Sequence, residues 1–283
     1  MKVEIIVPFY NGKAYIERLL SSLRKQKTSF EVSYRFLVTA TGDGTEEELA
    51  KEGIPFDTVA PEEFNHALTR EKAIFASGAD VVVMATQDVI FEEENAIECL
   101  AKAIQGDVVA AYLRQVCRNW TIEHYTRAVN YPKKSIRKDK NSIEKMGLNT
   151  FFFSDACAAY DVAYFKEVGG YDGQLLSTNE DMYYAHKVIT GGKAIQYVAE
   201  SYVVHTHKFT LKQLHDRYFL FGRFFAEYPA ILNYHSSGTG LKLAWGVAWR
   251  LLVTFNVPQW FMFLPNMWVR YKAKREGQTS PRP

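Results

Sequence analysis

The stretch Val81-Val82-Val83-Met84-Ala85-Thr86-Gln87-Asp88 sets five apolar residues ahead of a polar triplet. Unbroken apolar character, without alternation, marks a strand covered on both faces, the usual condition of a parallel sheet. The same signal recurs upstream. Val3-Glu4-Ile5-Ile6-Val7 reads as a strand that Pro8 should end, because proline has no N–H for a central ladder. Asn11-Gly12 is a turn. Ile16, Leu19, Leu20 and Leu23 then recur at helical spacing, which predicts an amphipathic helix over 13–26. Phe36-Leu37-Val38 and residues 56–59 are further strands. Between them lies the turn Gly42-Asp43-Gly44, with Thr45 as candidate cap of an acidic helix start. Helices are predicted over 66–77 and 92–105. Strand alternating with helix predicts an α/β fold with a mostly parallel sheet. No GxGxxG follows the first strand and there is no Walker A motif, which argues against a dinucleotide dehydrogenase or a P-loop NTPase.

Further on the rhythm breaks. Residues 113–150 hold Arg114, Arg118, Arg127, Lys133, Lys134, Arg137, Lys138 and Lys140 among aromatics. They form either a solvated basic loop or the floor of a pocket for an anionic or sugar substrate. Buried structure resumes at Phe151-Phe152-Phe153 and Ala156-Cys157-Ala158-Ala159. Short helices are predicted over 162–167 and 180–190, the second with Ser177, Thr178 and Asn179 as cap candidates. Late strands follow over 194–198 and 202–205.

Composition limits the class. The chain has 283 residues, 47% hydrophobic and 23% charged, which excludes a disordered protein. Its three cysteines are widely separated, so they make neither a disulfide framework nor a zinc site and fit a reducing compartment. A strand directly after Met1 predicts no signal peptide. The net charge of +2 conceals a split. From Lys208 onward there are 11 Lys/Arg and 3 Asp/Glu, a net of +8, and the rest of the chain carries −6. A basic, aromatic-rich end on an acidic body points to an anionic surface as partner.

Functional groups of open α/β sheets gather at the carboxyl ends of the strands. Asp88 follows the Val81 strand by three residues and either binds a divalent cation or caps the next turn. His205 and His207, two apart at a strand end, share one face. They are either ligands beside Asp88, in a set suited to Mn²⁺ or Mg²⁺, or hydrogen-bonded surface residues. Glu180-Asp181 opens a helix, where carboxylates are favoured electrostatically, or supplies a general base. His66 and Arg70 share a helix face, and Arg70 could hold a phosphate with paired donors.

Several stretches together carry a resemblance. They are Val7-Pro8-Phe9-Tyr10-Asn11, Glu63-Phe64-Asn65-His66 with Thr69-Arg70, Thr86-Gln87-Asp88, Arg114-Gln115 and Asn130-Tyr131-Pro132. Ser154-Asp155-Ala156-Cys157-Ala158-Ala159-Tyr160, Val168-Gly169-Gly170-Tyr171-Asp172, Glu180-Asp181-Met182 and His205-Thr206-His207 complete the set. The chain resembles the family 2 glycosyltransferases of GT-A fold, and within them the bacterial rhamnosyltransferases. The resemblance implies inverting transfer of L-rhamnose from dTDP-β-L-rhamnose to a hydroxyl of a saccharide acceptor, in cell-surface polysaccharide synthesis. UDP-glucose, UDP-galactose or UDP-N-acetylglucosamine is the alternative donor. Asp88 corresponds to the last acid of the family's metal motif, with His205 or His207 completing a Mg²⁺ or Mn²⁺ site. Asp181 is implied as the base, with Glu180 beside it. Pro8, Tyr10, Asp43, His66, Arg70 and Gln87 fall on the donor side, and Arg114, Gln115 and Asp155 near the sugar or acceptor. Two positions depart from the pattern. Asp43 comes later than the acid that reads the nucleotide base, and Glu71 stands where the family often has Asn. A reading from another class is a non-catalytic sugar or nucleic-acid binding protein. No RNA- or zinc-binding motif accompanies the basic end, so no nucleic-acid partner is expected.

The basic end reads as helical over 210–228, with Leu211, Leu214, Tyr218, Phe221 and Phe225 along one side and Pro229 as the stop. Ser236-Ser237-Gly238 is a loop. Residues 241–264 are strongly apolar and include Trp245, Trp249, Trp260, Phe261 and Phe263, but Lys242 and Arg250 interrupt them and Pro258 breaks them. Residues 251–264 fall short of a span of about 20 residues. The composition predicts amphipathic helices in a membrane interface, with Arg270, Lys272, Lys274 and Arg275 at anionic head groups. An oligomer interface or a flap over the core is the other reading, so a homo-oligomer stays open. Residues 277–283 are expected to be mobile. The division expected is a catalytic domain over 1–222 and a helical extension over 223–283. It would sit peripherally at the cytoplasmic face of the cell membrane and serve an acceptor on a polyprenyl lipid.

Overall fold

The computed structural model describes residues 1–235 and 239–280. The expected loop at Ser236-Ser237-Gly238, and residues 281–283 of the expected mobile end, lie outside them. One nine-stranded sheet forms the centre. Its strands are β1 (Lys2–Phe9), β2 (Glu31–Thr39), β3 (Phe56–Val59), β4 (Val81–Ala85), β5 (Val89–Ile90), β6 (Val108–Val116), β7 (Ile136–Lys138), β8 (Cys157–Asp161) and β9 (Ala194–His205). The order is β3-β2-β1-β4-β8-β6-β9-β5, and β7 also pairs with β9. The first four strands of that order run parallel, β8 is antiparallel to both neighbours, and β6 and β9 run parallel. The carboxyl ends of β1, β2, β4, β6 and β9, and the segment entering β8, therefore share one edge of the sheet.

The helices are α1 (Lys13–Leu23), α2 (Thr45–Lys51), α3 (His66–Ala76), α4 (Ala96–Lys102), α5 (Ile122–Asn130), α6 (Ser142–Met146), α7 (Val162–Glu167), α8 (Glu180–Thr190), α9 (Leu211–Glu227), α10 (Pro229–Leu232), α11 (Thr239–Val253) and α12 (Val257–Thr279). They cover the sheet on both sides, and the strand side chains alternate between two apolar clusters as a period of two requires. Val81, Val83 and Ala85 join Ile5, Val7 and Ala159 with α1 and α4 on one side. Val82 and Met84 join Ile6, Ala158 and Tyr160 with α3, α7 and α8 on the other. The unbroken apolar run of β4 is thus explained: every residue has a buried face to fill. Cutting Met84 back to alanine costs about 2–5 kcal/mol.

Several local expectations are corrected. β1 runs on through Pro8 to Phe9, because pairing with β4 stops at Ile6 and only β2 borders the strand there. A missing N–H is tolerable where a strand has lost one neighbour. Thr45 is the first residue of α2 rather than its cap. Its hydroxyl bonds the Asp43 carboxylate, and Asp43 also accepts from the Thr45 N–H. The two late strands are one, interrupted between Val198 and Tyr202 by a bulge that leaves Ala199, Glu200 and Ser201 out of the ladder with β6. Residues 113–150 are no loop; they supply the end of β6, then α5, β7 and α6.

At the C-terminal end α9 begins with a reciprocal cap, in which the Thr210 hydroxyl accepts from the Gln213 N–H and Gln213 accepts from the Thr210 N–H. α9 stops at Glu227 as expected, with Tyr228 before Pro229 out of the helical region, and Pro229 then opens the first turn of α10, where it loses no bond. Pro258 likewise opens α12, and the break lies just before it, with Phe255 in the left-handed region at φ 51°. The close packing of α9 against α12 depends on two glycines. A Cβ on Gly222 would lie 2.2 Å from the Lys274 carbonyl oxygen, and one on Gly277 2.0 Å from that of Phe219. Gly277, expected in a mobile end, is therefore a packed helical residue.

Candidate active site

Two clusters of titratable side chains lie along the carboxyl edge of the sheet. The first forms because β5 pairs with β9, setting Val89 opposite His205. That register brings the preceding residue, Asp88, against the end of β9. His205 Nε2 lies 3.3 Å and His207 Nε2 3.7 Å from Asp88 Oδ2. One ligand atom from each residue falls within 4.8 Å of the others. Burial pushes the Asp88 carboxyl up, but His205 and His207 outweigh it and hold it well below the usual carboxylate range. Burial lowers His205 despite Asp88, and burial together with the His205 ring takes His207 down to about 3. Near neutral pH the cluster is thus one carboxylate and two uncharged imidazoles, each able to offer a lone pair. This donor set fits a divalent cation of the Mn²⁺ or Mg²⁺ kind whose shell is completed by substrate oxygens.

The second cluster surrounds Arg70. Asn65 caps α3 by accepting from the Ala67 and Leu68 N–H groups, which aims Arg70 inward. The guanidinium is buried. Its Nη1 lies 3.3 Å from Glu180 Oε1 and donates to the His66 carbonyl at 2.8 Å, and its Nε lies 3.8 Å from Asp155 Oδ2. The structure therefore spends Arg70 on carboxylates of the chain itself. Asp155 also accepts from the hydroxyls of Tyr160 and Tyr171. Asp181, in the first turn of α8, accepts from the Asp155 N–H at 3.3 Å and the Met182 N–H at 2.7 Å. Asp155 and Glu180 thus share one arginine, and Asp181 lies beside them with backbone N–H partners only. Burial, then the Glu180 charge, raises Asp155 to about 6 in spite of Arg70. Burial, then Asp155 and Glu180, raises Asp181 well above its ordinary value. Asn179, the residue before α8, is left-handed at φ 63° and makes no side-chain cap. The acids, not the expected caps, meet the helix start.

The other predicted residues fall around these clusters. Gln87 clasps β1 to β4, accepting from the Tyr10 N–H at 2.9 Å and donating to the Tyr10 carbonyl at 3.0 Å. A side chain at Gly12 would strike Phe9 and Gln87, which explains the glycine. Tyr10 itself is exposed and faces Phe64, whose ring packs edge-on to His66. Pro8 is half-buried. Asp43 pins its own turn; bonds from Thr45, Lys13 and Thr41 outweigh the upward push of burial and hold it low. Arg114 lies over the Tyr202 ring, 5.0 Å from its centroid. Gln115, grouped with it in the sequence, is only 2% exposed and turns toward His205. Glu71, the departure from pattern, accepts from the Tyr171 and Gly173 N–H groups at 2.6 and 3.2 Å, tying the glycine loop to α3.

Sequence reasoning missed Arg217. It lies exposed on α9 over the Phe209 ring, and Phe209 stacks on His207 at 4.9 Å. Its charge is felt at His66, Tyr131, His205 and His207, so it overlooks the first cluster. Helical spacing does not show that Arg217 faces the histidines; its packing on Phe209, which stacks on His207, does.

The C-terminal helices carry a different surface. Leu241, Trp245, Trp249 and Leu252 on α11 and Val257, Phe261, Leu264, Trp268 and Tyr271 on α12 are all exposed, Trp245 at 74% and Phe261 at 78%. Their spacing puts each set on one helix face. Lys242, Lys272 and Arg275 are exposed beside them. Arg270 is not: it is 6% exposed and pairs with Glu123, Tyr218 and Asn266, so its expected place at a head group is corrected. Lys274 is also drawn inward, over the rings of Phe221 and Phe225. Among the described residues no helix is long and apolar enough to cross a membrane.

Comparison with known proteins places this architecture. The model of the family described as glycosyl transferase family 2 matches residues 4–169. The chain is 34% identical over 290 residues to the O-antigen chain rhamnosyltransferase WbaN of Salmonella anatum, covering 98% of this chain and 90% of that protein. It is 33% identical over 291 residues to the O-antigen chain rhamnosyltransferase RfbN of Salmonella typhimurium strain LT2, covering 99% and 92%. Among solved structures it is similar to the mannosyltransferase PcManGT from Pyrobaculum calidifontis, in complex with GDP-Man and Mn²⁺. That match has a TM-score of 0.65 at 15% identity and covers 98% of this chain and 87% of the other. It supports a GT-A-like fold.

Proposed function

This chain belongs to glycosyl transferase family 2, and on that premise we propose that it transfers L-rhamnose from dTDP-β-L-rhamnose, with inversion, to a hydroxyl of a lipid-linked saccharide in O-antigen-type polysaccharide synthesis. The observation that carries this reading is 33–34% identity, over nearly the whole chain, to two O-antigen chain rhamnosyltransferases. The coexistence of a cation-type cluster and a base-type cluster on one sheet edge is consistent with it.

Asp181 is the base in this proposal. Two backbone N–H groups orient its carboxylate, and its raised pKa makes it a stronger proton acceptor than an ordinary aspartate. It takes the proton of the acceptor hydroxyl as that oxygen bonds to the anomeric carbon. The bond from that carbon to the phosphate oxygen breaks on the opposite face, and the electron pair leaves with the nucleoside diphosphate. A single displacement inverts configuration. Arg70 and Glu180 hold the carboxylate cluster in place. Asp88, His205 and His207 would hold Mg²⁺ or Mn²⁺, which when bound neutralises charge on the leaving diphosphate. Arg217 adds a cation on the same side, and Tyr10 with Phe64 offers an aromatic wall to a nucleotide base.

The exposed apolar faces of α11 and α12 are assigned to a membrane surface at the cytoplasmic side. Tryptophans flanked by Lys242, Lys272 and Arg275 match an interface of acyl chains and anionic head groups. Docking there would bring the enzyme to an acceptor carried on a polyprenyl lipid.

Donor profiling of the purified protein tests the central claim. Release of dTDP from dTDP-β-L-rhamnose in the presence of acceptor is the expected result. Turnover of UDP-glucose, UDP-galactose or UDP-N-acetylglucosamine without turnover of dTDP-rhamnose would reassign the donor.

A further inference from the structure

We infer that Gln115 is a positioning residue of the cation site: it determines which nitrogen of His205 is free to coordinate, and Arg127 determines which way Gln115 points. The inference rests on the reading of Asp88, His205 and His207 as cation ligands.

The argument begins with an arginine that can only donate. Arg127 Nη1 donates to Gln115 Oε1, so the atom it meets must be the carbonyl oxygen and not the amide nitrogen. The amide nitrogen then points to Ser154 Oγ, 2.8 Å away. Both ends of the Gln115 side chain are thereby oriented, in a setting with almost no access to solvent. The same carbonyl oxygen lies 2.9 Å from His205 Nδ1. An oxygen with two lone pairs accepts both bonds, so the His205 proton must sit on Nδ1. In the uncharged ring Nε2 is left with its lone pair, and Nε2 is the atom 3.3 Å from Asp88 Oδ2.

The alternative shows what Gln115 prevents. With the proton moved to Nε2, His205 would hydrogen-bond directly to Asp88, and the chain would fill its own site. A carboxylate so close favours that state. Gln115 opposes it by giving the proton a better-placed acceptor on the far side of the ring, as second partners of ligating histidines do.

Arg127 is itself held at a distance. It belongs to α5, which packs against the C-terminal helices α11 and α12 as well as against β6. Glu123 pairs with Arg270, the Ile122 N–H donates to Gln259 at 3.0 Å, and the Ala128 carbonyl accepts from Arg250 at 3.3 Å. The C-terminal layer thus seats the helix that sets the cation ligand.

Mn²⁺ titration followed by electron paramagnetic resonance, on the full chain, tests this. Gln115→Leu should weaken Mn²⁺ binding about 10- to 100-fold. Gln115→Glu, which keeps an acceptor at Nδ1, should stay within a few-fold of the parent. Nitrogen-15 spectra of the metal-free protein should show His205 with its proton on Nδ1, moving to Nε2 in Gln115→Leu. Arg127→Met, which frees the amide to turn, should shift both readouts the same way and serves if Gln115→Leu does not fold. Equal Mn²⁺ affinity in parent, Gln115→Leu and Arg127→Met, or a parent His205 with its proton on Nε2, overturns the inference alone. A parent that binds no Mn²⁺ overturns the cation-site reading and the coordination role with it.

Discussion

Asp88 and Asp181 stand on the same edge of one sheet, both half-buried, yet they are driven in opposite directions. Asp88 meets two imidazoles and is held ionised far below the ordinary range. Asp181 meets two further carboxylates that share a single arginine and is raised. Burial penalises the charge of both; the neighbours decide which way each ends. The difference separates two chemical tasks. A carboxylate that is always charged suits a cation, and one that holds protons tightly suits proton abstraction.

The largest expected effect breaks the comparison at Asp181. Asp181→Asn should lower transfer by on the order of a thousandfold, within the range typical of general bases, while donor binding persists. In the parent, released nucleotide should rise with pH well beyond the ordinary aspartate value of about 4, because the base must lose its proton first. A variant with near-normal turnover, or a parent rate already flat at pH 5, would refute the assignment.

Next comes Asp88. Asp88→Ala should remove Mn²⁺ binding and reduce transfer by on the order of a hundredfold, as expected when leaving-group charge loses its stabilisation. Unchanged dependence of activity on added Mn²⁺ would remove Asp88 from this role.

A smaller effect sharpens the contrast through stability. The native pKa of Asp155, about 6, lies above its unfolded value, so the unfolded chain releases this proton first as pH rises. Its contribution to stability is full below about pH 4 and declines toward pH 6, by about 2–3 kcal/mol. Asp155→Asn should flatten that part of the curve in urea unfolding. An unchanged slope between pH 4 and 6 would mean that Asp155 is not the group held protonated.

The smallest effect on either centre is expected from the outer surface of the C-terminal helices. Replacing Trp245 and Phe261 by serine should abolish sedimentation with vesicles containing anionic lipid and leave Mn²⁺ affinity unchanged. Undiminished vesicle binding would argue against the membrane assignment, and a shift in oligomeric state instead would assign the face to a second copy.

Much of this was legible in the chain. The apolar runs of β1 and β4, the helical spacing of Ile16, Leu19, Leu20 and Leu23, and the acids after β4 and in the first turn of α8 could be read directly. They reflect local periodicity or motifs within a few residues. Asp88, His205 and His207 were legible as candidates, but only the pairing of β5 with β9 sets them within reach of one another. Arg70 read as a phosphate-binding group; its buried ion pairs with Asp155 and Glu180 come from three separate elements. Arg270 read as a surface cation for the same reason: sequence displays its charge and hides Glu123, 147 residues away.

By itself, then, the sequence determined the alternation of strand and helix, the family motifs and the segregation of basic and aromatic residues at one end. These depend on local spacing and side-chain chemistry. The tertiary structure decided which acid is ionised and which holds its proton, which cations face inward, and which nitrogen of His205 is left free. Those properties depend on what lies across from each group. Strand register and helix packing bring together residues such as Asp88 and His205, or Glu123 and Arg270, that are far apart along the chain.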